Sequence, residues 1–286
     1  MPALIRRGAT LAELLVALVL GTLVASAALA TLRAQLRLTG RTMSAHAADA
    51  AVGTAWHLLA RDLMSAIPIA DSAVGVVAVS DSTLDLWATR GVAVVCDSAG
   101  ADAVVVVAPT ASDARAADWP GAPRPGDRLT WLDAADLVRD SADAWRATDL
   151  RTLEGASTCP APPGMPRAPG QRWRVGGVRP SPGALLRVQR RTEHRLYRSS
   201  DGAWALGLRE WSGIAWSTTQ PVVAPFVSGR DAAPGIVLVA LDRNGPVASP
   251  LAPGSVLRGL HLAVRGADAG GRAIDSLALT LPVGWP

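Results

Sequence analysis

The side chains of this 286-residue chain that could do chemistry are few and dispersed. Its four histidines, His46, His57, His194 and His261, fall outside HExxH or any comparable spacing that would aim two imidazoles at one metal, so solvated or core imidazoles are expected. Cys96 and Cys159 are too far apart in sequence for a CxxC redox pair or a zinc ribbon. They could form one structural bridge or remain two thiols, Cys96 among valines being suited to burial. No P-loop, no GxGxxG after a strand and no GxSxG elbow is present, which removes the phosphate cradle and the nucleophile elbow. Asp140, Asp143 and Asp149 are closely spaced, as are Asp268 and Asp275, but neither set has the spacing of a calcium loop, and loop solvation is the reading. The expectation is a protein that is not an enzyme and carries no cofactor or metal.

One charge cluster stands out. All 28 basic residues are arginine, and the formal net charge is only +4, so the sequence pI near 10.2 reflects arginine usage rather than a large cationic excess. Eight arginines lie between Arg172 and Arg198, with Glu193 the lone acid among them. On a strand, alternation puts Arg187, Arg191, Glu193 and Arg195 on one face. Such a face could meet nucleic-acid phosphates or form a solvated network in which Arg187 and Arg195 flank Glu193. Aromatic interleaving is confined to Trp173 and Tyr197, so the network is favoured and no nucleic-acid partner is expected.

These residues must be positioned by a chain that is 49% hydrophobic but only 18% charged, against about 25% charged for an ordinary soluble domain. Much of the apolar excess sits in residues 9–32, whose only charge is Glu13. As a helix that stretch is about 36 Å long, enough to cross a hydrocarbon core of about 30 Å. Arg6 and Arg7 precede it, and the positive-inside rule then puts the N-terminus in the cytoplasm and the residues after Arg33 outside. An ordinary secretory signal, cut near Ala25-Ser26-Ala27 or Ala28-Leu29-Ala30, is the rival. It leaves Glu13 unexplained, because a carboxylate in an apolar segment costs free energy.

Arg6-Arg7-Gly8-Ala9-Thr10-Leu11-Ala12-Glu13 followed by an apolar helix resembles the prepilin signal of type IV pilins and type II secretion pseudopilins. The resemblance implies a leader of residues 1–8, removed between Gly8 and Ala9 by a prepilin peptidase on the cytoplasmic side. It also implies N-methylation of Ala9 and a role in filament assembly for Glu13. Ala9 stands where phenylalanine is commonest, and the kinking proline of many major pilins is absent. The presence of Glu13 separates the chain from K-type pseudopilins, which resemble this family but characteristically lack the acid. An oxidising periplasm around the head, implied in turn, predicts that Cys96 and Cys159 pair.

Residues 33–67 lack proline before Ile67-Pro68 and place Ala47, Ala51, Thr54, Leu58 and Ala66, or Leu59 and Leu63, at helical spacing. They read as an amphipathic continuation of the helix, with Arg61 and Asp62 on its solvent side, and WHLLARDLMSAIP resembles the end of the long helix in minor pilins and J-type pseudopilins. After Pro68 short valine-rich runs separated by Ser, Asp and Gly predict strands: VGVVAVS, STLDLWATR, GVAVVCDS and ADAVVVVAP. LTWLDAADL could be strand or helix, and AWRATDLRTL leans to strand. Residues 159–183 hold seven prolines and read as a long irregular connection dividing the sheet into two lobes. Ser200-Asp201-Gly202, Asn244-Gly245 and the loop between Gly266 and Arg272 mark three hairpins.

The expected fold is α+β and pilin-like: a long N-terminal transmembrane helix, then a β-rich periplasmic head over residues 68–286. The expected function is that of a minor pilin or minor pseudopilin, a structural subunit anchored in the inner membrane. Its expected partners are the peptidase and other pilins or pseudopilins, met through the N-terminal helix. A secreted soluble β protein and a DNA-uptake pilin are the alternatives.

Overall fold

A computed structural model describes residues 10–66, 75–80, 82–107, 122–132, 145–161, 167–242, 244–247, 259–268 and 271–282. Its first element, α1 (Leu11–Ser65), is one 55-residue helix. Thr10 caps it: the Glu13 amide donates to Thr10 Oγ1 at 3.3 Å, and the Thr10 amide donates to Glu13 Oε2 at 2.8 Å. This reciprocal capping box satisfies two amides that the first turn leaves open. Every residue from Thr10 to Met43 is exposed, and burial begins in earnest at Ala48. The helix is thus a bare rod for about 50 Å and a core element thereafter.

Among the described residues, twelve antiparallel strands follow. The first six are β1 (Val76–Ser80), β2 (Thr83–Ser98), β3 (Ala103–Val107), β4 (Arg128–Leu132), β5 (Trp145–Thr158) and β6 (Pro169–Gly176). The remaining six are β7 (Leu185–Arg198), β8 (Trp204–Glu210), β9 (Gln220–Phe226), β10 (Ile236–Leu241), β11 (Gly259–Ala267) and β12 (Ala273–Pro282). They join in the order β1-β2-β3-β6-β5-β4-β7-β8-β9-β11-β10, with β12 on the side of β11. Because β7 also pairs directly with β2, the run β2-β3-β6-β5-β4-β7 closes on itself as a six-stranded barrel. Closure removes the open edges those strands would otherwise present.

Two apolar cores result. Ala93, Val95, Val104, Val106, Leu129, Trp131, Leu150, Trp173, Val175, Leu186 and Val188 fill the barrel. The other core packs Ala51, Val52, Ala55, Leu59 and Leu63 of α1 against β1, the first half of β2, the end of β7, and β8 to β11. The long strands β2 and β7 serve both. A register shift between Thr89 and Gly91 bulges β2 at Arg90 and changes which parity faces inward. Before the bulge Leu84, Leu86 and Ala88 are buried; after it Ala93 and Val95 are. Such a bulge leaves the inserted residue unpaired and disrupts the ladder locally, and pairing resumes beyond it.

The structure departs from several expectations. STLDLWATR and GVAVVCDS form one strand, since the bulge accommodates Gly91 without a turn. Part of the proline-rich stretch 159–183 is strand β6: Pro169 sits at its first residue, where a missing N–H is tolerated, and Trp173 and Val175 alternate inward. The buried face of α1 runs through Ala48, Ala51, Val52, Ala55 and Leu59, leaving Ala47 and Thr54 exposed. Asp62 is 1% exposed rather than on the solvent side. Among the described residues the Asn244-Gly245 turn closes an isolated Leu241–Pro246 bridge, and β10 takes β11 as its partner.

Candidate functional site

The bare rod of α1 carries the features that point outward. Leu11, Leu14, Leu15, Leu18, Leu23 and Val24 are each more than half exposed, a degree of apolar display that water does not sustain on a folded chain. This is one helix long and apolar enough to cross a membrane. Glu13, in its first turn, accepts from the Thr10 amide, so its carboxylate lies against the positive end of the helix dipole. Gly8 and Ala9 lie outside the described residues.

The other end of α1 is fixed to the head by polar contacts buried between the two cores. Asp62 projects among Leu59, Leu63 and Ala66 and accepts from His194 Nε2 at 3.0 Å. It also accepts from Arg61 Nε and Nη2 at 3.0 and 2.8 Å, with Arg90 Nη1 at 3.8 Å. Burial alone would raise the Asp62 carboxyl, yet the His194 hydrogen bond and charge, Arg90 and Arg61 together hold it below its ordinary value. An ionised carboxylate only accepts, which puts the shared proton on His194 Nε2.

Arg90, the bulge residue, extends this contact: Nη2 donates to Thr192 Oγ1 at 2.8 Å and lies 3.3 Å from Glu210 Oε1. Glu210 in turn pairs with Arg190 at 3.5 Å and with Arg124. Arg190 forks onto Asp127 through Nε and Nη2 at 2.8 and 2.9 Å. On β7 the inward row therefore reads Leu186 and Val188 in one core, Arg190, Thr192 and His194 in the belt, and Leu196 in the other core. Next to the belt Thr89 clasps the last turn of α1, its amide donating to Ser65 Oγ at 3.1 Å and its hydroxyl to the Ser65 carbonyl at 2.8 Å.

The arginine face lies on the opposite side of β7. Arg191 forks onto Asp85, Nη2 to Oδ2 at 2.7 Å, and its guanidinium stands 5.3 Å from the Trp216 ring. Glu193 is flanked by Arg209 at 2.6 Å and Arg195 at 3.9 Å. Arg187 is not its neighbour but stacks 5.0 Å over Trp145 at the barrel end, because it lies six positions, about 20 Å, back along β7 from Glu193. Arg128 likewise covers Trp87 at 5.4 Å. Guanidinium groups committed to carboxylates and indole faces are a poor phosphate comb.

Cys96 and Cys159 form a disulfide that ties the second half of β2 to the end of β5, with Cα atoms 5.4 Å apart. Among the described residues no group of three or more His, Cys, Asp or Glu side chains converges on a point that could hold a metal ion. Asp140 and Asp143 lie outside the described residues, and Asp149 and Asp268 belong to separate parts of the sheet.

The residues that sequence reasoning missed are Asp62, Arg90, Asp127, Arg190 and the half-buried Glu210 of the belt, whereas His194, expected as a solvated or core imidazole, is a core one. A signal for Asp62 did exist. It follows Ala55 by seven and precedes Ala66 by four, which is the spacing of the buried stripe rather than of the solvent side. No protein-family model, no characterised protein and no solved structure matches the chain.

Proposed function

We infer that this chain is a minor pilin or minor pseudopilin, a structural subunit that starts or completes a type IV pilus or type II secretion pseudopilus. The observation that carries the reading is the division of α1. A single unbroken helix is bare over its first 33 residues, apolar apart from Glu13 over the first 22 of these, and clamped into a β head over its last five turns. A rod of that kind has two stable settings, a bilayer or a bundle of similar helices, and a filament subunit uses both in turn. The helix stores the subunit in the inner membrane with the head in the periplasm. On assembly, helices bundle in the filament core and heads cover the outside.

In this reading a prepilin peptidase removes residues 1–8 and N-methylates Ala9. Glu13 is then the docking group. In the free subunit its carboxylate is held by its own Thr10; in the filament it meets the Ala9 ammonium of the incoming chain, and opposite charges in a low-dielectric bundle set the register. Arginines flank the span on both sides, Arg6 and Arg7 before it and Arg33, Arg37 and Arg41 after it. Orientation here follows from cytoplasmic processing of the leader rather than from a charge count.

The test is the mature N-terminus of membrane-extracted protein, read by intact mass and terminal peptide sequencing. The expected product begins at methylated Ala9, and Gly8→Val keeps the leader because a side chain at the scissile bond obstructs the peptidase. A product beginning near Ala28 or Thr31 would mean a secreted soluble β protein and overturn the reading.

A further inference from the structure

Beyond the span, α1 carries a second feature that filament assembly does not use. Arg33, Arg37 and Arg41 recur every four residues, which puts their side chains within about 80° of one another around the helix. All three are exposed, and no acidic residue occurs between Glu13 and Asp49. Like charges four apart on a helix repel one another, so the row is unfavourable until an anion meets it. Leu29, Leu32, Leu36 and Met43 form an apolar stripe on a different face, exposed by 52, 51, 64 and 67%.

The row also lies at a defined depth. Measured from Leu11, Arg33 is about 33 Å along the axis, one hydrocarbon thickness, with Arg37 and Arg41 about 6 and 12 Å further. The headgroup layer occupies roughly the next 5 to 7 Å, and long arginine stems bend back toward it. Each guanidinium is a fork of donors matched to a phosphate.

We propose that Arg33, Arg37 and Arg41 form a binding site for the phosphates of anionic phospholipids in the leaflet facing the head, which fixes the depth of α1 while its apolar stripe stays open to other helices. The proposal rests on α1 lying in a bilayer, but not on processing or filament entry. An uncut leader or an unmethylated Ala9 would leave it standing, whereas a product beginning near Ala28 or Thr31 would remove the span and the proposal with it.

The experiment places the full-length protein in nanodiscs of phosphatidylcholine with phosphatidylglycerol admixed and identifies the lipids it retains by native mass spectrometry. Phosphatidylglycerol should be enriched about fivefold for each arginine engaged. The enrichment should shrink with added salt and vanish in the R33Q/R37Q/R41Q triple variant. Glutamine is nearly as good a helix former and these side chains are exposed, so the variant should keep wild-type circular dichroism. Equal retention of both lipids by the wild type, or enrichment that survives in the triple variant, overturns the proposal. So does a triple variant that loses only its contacts to neighbouring subunits, which would assign the anions to protein carboxylates.

Discussion

Replacing Asp62 with alanine should loosen the head from its helix, and the size of the effect can be worked from its partners. The carboxylate is buried, and removing it strands two groups that are buried with it. His194 loses its hydrogen bond from Nε2 while Nδ1 already has no partner. Arg90 keeps Thr192 at 2.8 Å and Glu210 at 3.3 Å, so its charge is only partly uncovered. Breaking a buried ion pair from one side costs about 3 to 5 kcal/mol, and the residual partners of Arg90 put Asp62→Ala near the lower end, about 3 kcal/mol. Asp62→Asn preserves shape and a neutral acceptor and should cost about 1 to 2 kcal/mol. Asp49→Asn, on the exposed face of the same helix, should change stability by less than about 0.5 kcal/mol. Urea unfolding of the protein in detergent, followed by tryptophan fluorescence, measures all three. Because the folded Asp62 carboxyl lies below its unfolded value, its contribution is present above the ordinary carboxylate range, near pH 4, and is lost as pH falls through the folded value. Asp62→Asn should therefore flatten the acid limb of the stability profile. An Asp62→Ala protein within about 0.5 kcal/mol of wild type, with an unchanged acid limb, would refute the claim that this carboxylate fastens the helix.

On the proposed function, Glu13→Val should insert normally but be missing from filaments, as seen by blotting sheared pili; wild-type incorporation would remove the proposed docking role. Alkylation without reductant should label no thiol at Cys96 or Cys159, and Cys159→Ser should cost about 4 kcal/mol in the chain-entropy model for a loop of sequence separation 63. Gly266→Val should destabilise the head selectively on the helix side, because a Cβ there would lie 2.8 Å from the Ala48 carbonyl oxygen on α1; limited proteolysis at the neck would register it. Replacing Arg187, Arg191 and Arg195 with glutamine should leave any DNA uptake by filaments unchanged, and its loss with filaments intact would move the reading to a DNA-uptake pilin.

Much of the local structure was legible because it depends on short-range chemistry. The apolar run of residues 9–32 has the length of a span, and the short valine-rich runs bounded by Ser, Asp and Gly read as strands. Ser200-Asp201-Gly202 turns β7 into β8 where glycine can take the positive φ of 89°. Tertiary contact decided the rest. Nothing in STLDLWATRGVAVVCDS says that Gly91 follows a bulge instead of a turn, since only the pairing of Thr89 and Gly91 with Gln189 and Val188 makes Arg90 the inserted residue. Barrel closure depends on β4 and β2 both reaching β7, a contact between segments far apart in sequence. Asp62 read alone as a solvent-side charge and His194 as a solvated or core imidazole, because a buried charge is tolerable only when its partners arrive from other elements, and those partners, Arg90 among them, are set by the packing of α1 on β2 and β7.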